Sequence, residues 1–256
     1  MRTLTRSLAT LLLLLPLAGC GGGDDEGDSG DAGGAGGGEL TVLAAASLTD
    51  VYEGLAEQFE EENDATVTFS FGSSTDLAEQ AADGAPGDLL ATADETSMQV
   101  AEDAEVTGEV TTFATNVMVI VTPPDNPAGI ESLNDLQGAT WVRCADEVPC
   151  GRVALGVLEG DGVTAEPASL EEDVRATLDK VISGEADAGL VYASDAVAAG
   201  DDVATVEIPG AEEQLTSYYI TTLAQSEDPD LAQAWVDLVT SEAGRQALTD
   251  AGFSLP

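Results

Sequence analysis

From residue 39 to the C-terminus the chain alternates two apolar patterns, and that alternation is the tightest constraint on its fold. Short runs of β-branched and small residues read as strands: ELTVLAAA (39–46), ATVTFSF (65–71), part of APGDLLATAD (85–94), FATNVMVIVTP (113–123), ATWVRC (139–144), AGLVY (188–192) and SYYITTLA (217–224). Helical patterns lie between them. Leu48, Val51, Leu55 and Phe59 repeat at helical spacing, which predicts a helix over 48–62. DLAEQAADG is a short helix ended by Gly84, PCGRVALGVL (149–158) opens another, and EEDVRATLDKVISGE (171–185) is a third. LAQAWVDLVTSEAGRQALTDAGF (231–253) reads as one long helical stretch closing on Gly252. Strands separated by helices predict an α/β architecture with parallel sheets covered on both faces. In such sheets ligands bind beyond the carboxyl ends of the strands, near helix N-termini.

Composition narrows the function. Histidine is absent, which removes the commonest general base and metal ligand. Seven Lys and Arg stand against 49 Asp and Glu, so little is available to neutralise phosphates, and nucleic acid is excluded as a partner. Hydrophobic residues make up 43% but aromatics only 4%, so the core must be built largely from Ala, Val and Leu.

The N-terminus reads as a targeting segment. Arg2 and Arg6 precede the apolar run LATLLLLLPLAG (8–19), which is too short to span a bilayer and contains Pro16. It ends in Leu17-Ala18-Gly19-Cys20, which resembles a bacterial lipobox. Residues 1–19 are then a signal peptide, and Cys20 carries a lipid. Residues 20–39 are that cysteine plus a Gly/Asp-rich linker that cannot bury a core. The folded body is expected to begin near Leu40 and to work outside the cytoplasmic membrane. There Cys144 and Cys150, in VRCADEVPCG, are most simply a disulfide. A metal pair is the weaker alternative, since no further ligand of suitable type is evident.

What lies at the strand ends is hydroxyls and helix starts. Ser47 follows the first strand, Ser73-Ser74-Thr75 the second, Pro149-Cys150-Gly151 opens a helix, and Tyr192 ends a strand. Helix N-termini offer unpaired N–H groups and a partial positive charge, the ingredients of an anion site without formal charge. Each residue also has a structural reading. Ser47 with Asp50 three positions on resembles a capping box, and Ser73 to Thr75 fit a turn plus a cap. Tyr192 fits a half-buried core position. A hydrolase built on Ser47 or Ser74 would lack a histidine base. Lys180 is the only lysine and falls within a helical stretch, and no G-x-S-x-G is present.

AAASLTD, FSFGSSTDLAEQ, GAPGDLLATAD and EDVRATLDKVISGEADAGLVYASDA together resemble the periplasmic molybdate-binding proteins of ABC importers, in order and spacing. The resemblance runs from about Leu40 to the Gly-Phe at 252–253. It implies a two-lobed periplasmic-binding-protein fold of type II, each lobe a mostly parallel sheet flanked by helices. Lobe one would comprise 40–115 and 211–256, lobe two 116–210, with crossovers near 113–121 and 205–220. It implies a monomeric, non-enzymatic receptor with no cofactor, holding molybdate or tungstate and docking on an ABC permease. Carried over by motif, the ligand groups are the hydroxyls and amides of Ser47 and Ser74, the backbone N–H of Cys150 and Val174, and the Tyr192 hydroxyl. The serine run is shorter than in relatives, which leaves Ser73 or Ser74 open by one position. The cysteine pair is absent from the best-known relatives; as a disulfide it would brace the loop that supplies the Cys150 amide. Arg143 and Arg152 flank that loop and are expected to form surface ion pairs. A receptor for another oxyanion such as sulfate is the nearest alternative.

Overall fold

The computed structural model describes residues 37–256. The expected signal peptide, Cys20 and nearly all of the linker lie outside the described residues. The first part of the body runs β1 (Gly38–Ala45), α1 (Thr49–Asn63), β2 (Ala65–Gly72), α2 (Ser74–Ala82), β3 (Leu89–Thr92), α3 (Glu95–Asp103) and β4 (Thr111–Asn116). The middle part supplies β5 (Met118–Thr122), β6 (Trp141–Cys144), α4 (Pro149–Gly160), β7 (Ser169–Glu171), α5 (Val174–Ile182), β8 (Ala188–Tyr192), α6 (Ala193–Ala199) and β9 (Ala204–Glu207). The chain returns with β10 (Thr216–Thr222), α7 (Pro229–Thr240) and α8 (Glu242–Asp250).

These strands form two five-stranded sheets of the same design, ordered β2-β1-β3-β10-β4 and β7-β6-β8-β5-β9. Each is mixed: four strands point one way, and one, β10 or β5, runs against its neighbours. The reversed strand has a simple cause. It enters from the other lobe and so starts at the cleft, where the neighbouring strands end. Met118, the first residue of β5, faces Tyr192, the last of β8, and Thr216 of β10 faces Asn116, the last of β4.

The apolar run 113–123, expected as one strand, is two strands in different sheets. Asn116 makes the break. Its side-chain Oδ1 accepts from the Val117 amide at 2.9 Å, and its Nδ2 donates to Ser194 Oγ at 2.8 Å, so the pairing changes sheets there. The stretch 231–253, expected as one helix, is also split. Ser241 Oγ accepts from the Gly244 amide at 3.1 Å and caps α8, and a Cβ at Gly244 would collide with the Leu238 and Val239 carbonyls. β7 and β9 are three and four residues long, too short to carry a periodic signal of their own.

The cores follow from the strand pattern. In β1, Leu40, Val42 and Ala44 pack on the side of α1 and α7, while Leu43 packs on the side of α2 and α3, which explains an unbroken apolar run in place of alternation. Tyr52, Leu55 and Phe59 share the inner face of α1. Trp235 of α7 meets Phe59 and Tyr52 edge-on at 5.2 and 5.4 Å. Truncating Trp235 to alanine would cost about 3–5 kcal/mol.

Candidate functional site

The carboxyl ends of the parallel strands of both sheets face one cleft, and each hands over to a helix there. A cavity of about 20 Å³ lies between them. From one lobe it is lined by Ala45, Ala46 and Ser47 after β1, Gly72, Ser73 and Ser74 after β2, and Ala93 after β3. From the other it is lined by Val148 to Cys150 at the start of α4, Asp173 and Val174 at the start of α5, and Tyr192 at the end of β8. Ser47, Ser74, Cys150, Val174 and Tyr192, singled out from the sequence, are therefore brought together. Room for a single water-sized probe takes about 10–15 Å³, so this space suits a group of a few heavy atoms and excludes a sugar or an amino acid.

Ser47 does not cap α1. It sits in a 3₁₀ turn, Ala46–Leu48, that places it ahead of the N-cap position, which Leu48 occupies without a side-chain hydrogen bond. Its hydroxyl instead meets the Tyr218 hydroxyl at 2.8 Å. Ser74 Oγ accepts from the Ala93 amide at 3.0 Å, which leaves its own proton free to donate. Ser73 holds the N-cap position of α2, yet its side chain makes no capping bond. Both Ser73 Oγ and the Tyr192 hydroxyl are buried with no hydrogen-bond partner among the described residues. An orphaned buried hydroxyl costs about 1–3 kcal/mol, a penalty that a bound acceptor removes.

The amides complete the donor set. Cys150 and Val174 lie in the first turns of α4 and α5, where helix geometry leaves N–H groups without intrahelical partners. Asp173 lines the cavity but turns its Oδ1 back to accept from the Ala176 amide at 2.9 Å, as the N-cap of α5. The disulfide joins Cys144 at the end of β6 to Cys150, with Cα atoms 5.7 Å apart. Gly151 is required next to it, because a Cβ there would collide with the Ala145 carbonyl. The two cysteines are bonded to each other, and among the described residues no group of three or more His, Cys, Asp and Glu is arranged to hold a metal ion.

The electrostatics favour donation without formal charge. Among the described residues no basic side chain lines the cavity. Burial pushes the Tyr192 and Tyr218 phenols well above the usual range, reinforced by nearby acidic groups, so both keep their protons. Asp195, fully buried behind Tyr192, is pushed up to about 7 by burial, while Arg175 and the Tyr192 amide pull it down. Its Oδ2 accepts that amide at 3.2 Å and holds the turn that ends β8.

Arg143 and Arg152 are both ion-paired, but Arg143 is buried where a surface pair was expected. It reaches Asp146 at 2.7 Å and donates to the Cys144 carbonyl at 2.8 Å, staying with its own loop. Sequence reasoning missed Tyr218, Ala93 and Asp195. Strand alternation marks Tyr218 as inward-facing, but nothing local reports a partner 171 residues away.

Residues 40–254 match the sequence profile of the bacterial extracellular solute-binding proteins. The chain is 38% identical to the molybdate-binding protein ModA of Mycobacterium tuberculosis over 257 residues, covering 99% of this chain and 98% of that protein. It is 31% identical to ModA of Escherichia coli over 232 residues, 85% of this chain and 90% of that one. Among solved structures, the periplasmic molybdate-binding protein of Azotobacter vinelandii superimposes with a TM-score of 0.76 at 21% identity, covering 85% of this chain and 99% of that one, which speaks for the fold.

Proposed function

The chain belongs to the family of bacterial extracellular solute-binding proteins, and from that premise we propose that it captures molybdate, with tungstate as an equivalent ligand, and delivers it to an ABC importer. It is a binding protein and not an enzyme, as its relatives are, and the anion is a ligand with no cofactor involved. One observation carries the choice of ligand class. Two buried hydroxyls without hydrogen-bond partners among the described residues, Ser73 and Tyr192, line a small cavity whose other polar groups are amides, hydroxyls and the Asp173 carboxylate, with no basic side chain among the described residues.

Molybdate and tungstate are bare dianions at neutral pH and only accept hydrogen bonds, which a pocket dominated by donors matches. Protonated phosphate would want an acceptor, and the one carboxylate on the lining, Asp173, has an oxygen engaged by its own helix. Sulfate is also a bare dianion but smaller, so it would leave the donors stretched and undersatisfied. In this reading Ser47, Ser74, Cys150, Val174 and Tyr192 contact the anion, and the orphaned Ser73 hydroxyl joins them. The neutral pocket lets an acidic chain hold a dianion, because the opposing long-range field is screened over about 8 Å at physiological salt.

The same reading places the lobes at 40–115 with 211–256 and at 116–210, the protein as a monomer, and Cys20 as a lipid anchor on the outer side of the cytoplasmic membrane. Thermal melting of the purified protein with molybdate, tungstate, sulfate and phosphate tests it. Tight binding raises the melting temperature by mass action. A large shift with the first two and little with the others is expected. A shift with sulfate alone would change the ligand, and no shift with any anion would overturn the site.

A further inference from the structure

We infer that Arg152 and Arg175 are positioning residues that clasp the two lobes together across the pocket, so that they govern how long a bound anion stays. Arg152 lies in the first turn of α4, two residues beyond Cys150. Its guanidinium crosses the cleft to Asp94, with Nε and Nη2 at 2.8 and 2.6 Å from Oδ2. Nη2 also reaches Ser97 Oγ at 3.1 Å and Thr75 Oγ1 at 3.4 Å. Thr75 Oγ1 in turn donates to the Glu147 carbonyl at 3.0 Å, and Arg152 holds that carbonyl from its own side. Asp94 is a fixed anchor, because its Oδ1 caps α3 by accepting from the Ser97 amide at 2.9 Å. It directly follows Ala93, whose amide binds Ser74.

The second clasp repeats the design on α1. Arg175 follows Val174 in the first turn of α5 and bonds Asp50, three residues beyond Ser47. Its Nε stays 3.2 Å from the buried Asp195 of its own lobe. Each cation therefore sits one or two residues from a pocket amide and grips a carboxylate close to a pocket serine of the other lobe. Asp94 and Asp50 belong to the lobe of the first sheet and Arg152 and Arg175 to that of the second, so both contacts exist only when the lobes are together. Opening breaks the first-lobe half of each network while leaving Arg175 with Asp195.

The two clasps differ in weight. Asp94 has only 15% of its side chain exposed and Arg152 30%, and two guanidinium nitrogens converging on Oδ2 add hydrogen bonds to charge. Asp50 is 53% exposed, so solvent weakens its grip. The inference rests on the anion reading only for the choice of probe, since closure can be followed without ligand. Arg152→Met removes the first clasp and keeps the aliphatic stem. Asp50→Asn removes the second without orphaning Asp195, which Arg175→Met would do.

The test pairs molybdate association and dissociation rates with amide hydrogen exchange of the ligand-free full chain. Arg152→Met is expected to speed dissociation about tenfold and Asp50→Asn about threefold, with association within about twofold of the parent. Exchange is expected to rise at residues 73–77, 150–153 and 174–177 while β1 and β8 stay protected. A mere packing role would lower global protection and leave the ratio of the two rates alone. Unchanged dissociation together with unchanged exchange in Arg152→Met would overturn the clasp. If the parent chain binds no molybdate, the ligand assignment fails, and the exchange comparison still decides whether the arginines hold the lobes.

Discussion

Replacing Tyr192 by phenylalanine should move stability and affinity in opposite directions. The residue is 1% exposed, and its hydroxyl has no partner among the described residues. The phenylalanine ring keeps the edge-on packing against Tyr218, whose centroid is 6.2 Å away, so no cavity opens beyond one oxygen. Without anion, the parent chain carries the desolvation cost of that orphaned hydroxyl, about 1–3 kcal/mol. The variant should therefore melt at the same temperature or higher. With molybdate, the variant loses a hydrogen bond to a charged acceptor, worth about 1.5–3 kcal/mol. That converts to a dissociation constant weaker by roughly tenfold to 150-fold. Calorimetric titration gives the affinity, and thermal melts without anion give the stability. An affinity within twofold of the parent would refute the role of the hydroxyl. A ligand-free variant clearly less stable than the parent would show that the hydroxyl is satisfied within the fold, which removes the premise.

The two serines should separate in the same assays. Ser73→Ala is expected to weaken molybdate with no loss of ligand-free stability, whereas Ser74→Ala also strands the Ala93 amide and should cost about 1–3 kcal/mol of stability. Replacing Cys144 and Cys150 together by alanine keeps both amides but frees the loop; unfolding should become easier by about 2 kcal/mol, and molybdate should bind more weakly. Denaturant titration and calorimetry read the two effects. Asp195 sets a pH dependence. Its folded value of about 7 lies above the ordinary 3.8, so the native state holds the proton more tightly than the unfolded chain does. This group's contribution is then greatest below the unfolded value and falls as pH rises towards about 7, by at most about 1.4 kcal/mol per unit. Asp195→Asn should flatten that slope relative to the parent; identical slopes in urea titrations at several pH values would refute the assignment.

Much of the site was legible because its parts are local. A strand that ends in small residues and hands over to a helix start is visible in AAASLTD and in FSFGSSTDL. The Cys150 amide follows from where α4 begins, whereas Val174 comes only from the resemblance, because the expected helix begins at 171 and α5 begins at Val174. That Ser47 does not cap α1 was not legible. Its spacing to Asp50 fits a cap, but a 3₁₀ turn displaces it from the cap position, and its hydroxyl goes to a tyrosine on the last strand of the first sheet. Likewise the run 113–123 looks like one strand, because periodicity reports burial and not which sheet does the burying.

Sequence alone determined the alternation of strands and helices, the doubly covered sheets, the absence of histidine, and the small polar residues at strand ends. These are short-range properties, set by side-chain period, backbone preference and composition. Tertiary structure alone decided that the strand ends of two sheets of the same design line one cleft, and that β5 and β10 run against their neighbours because each arrives from the opposite lobe. It also decided that the Ser73 and Tyr192 hydroxyls are left without hydrogen-bond partners among the described residues, and that Arg152 and Arg175 reach carboxylates across the cleft. Those contacts join residues many tens of positions apart. Chain closure brings them within bonding distance, and no local pattern encodes it.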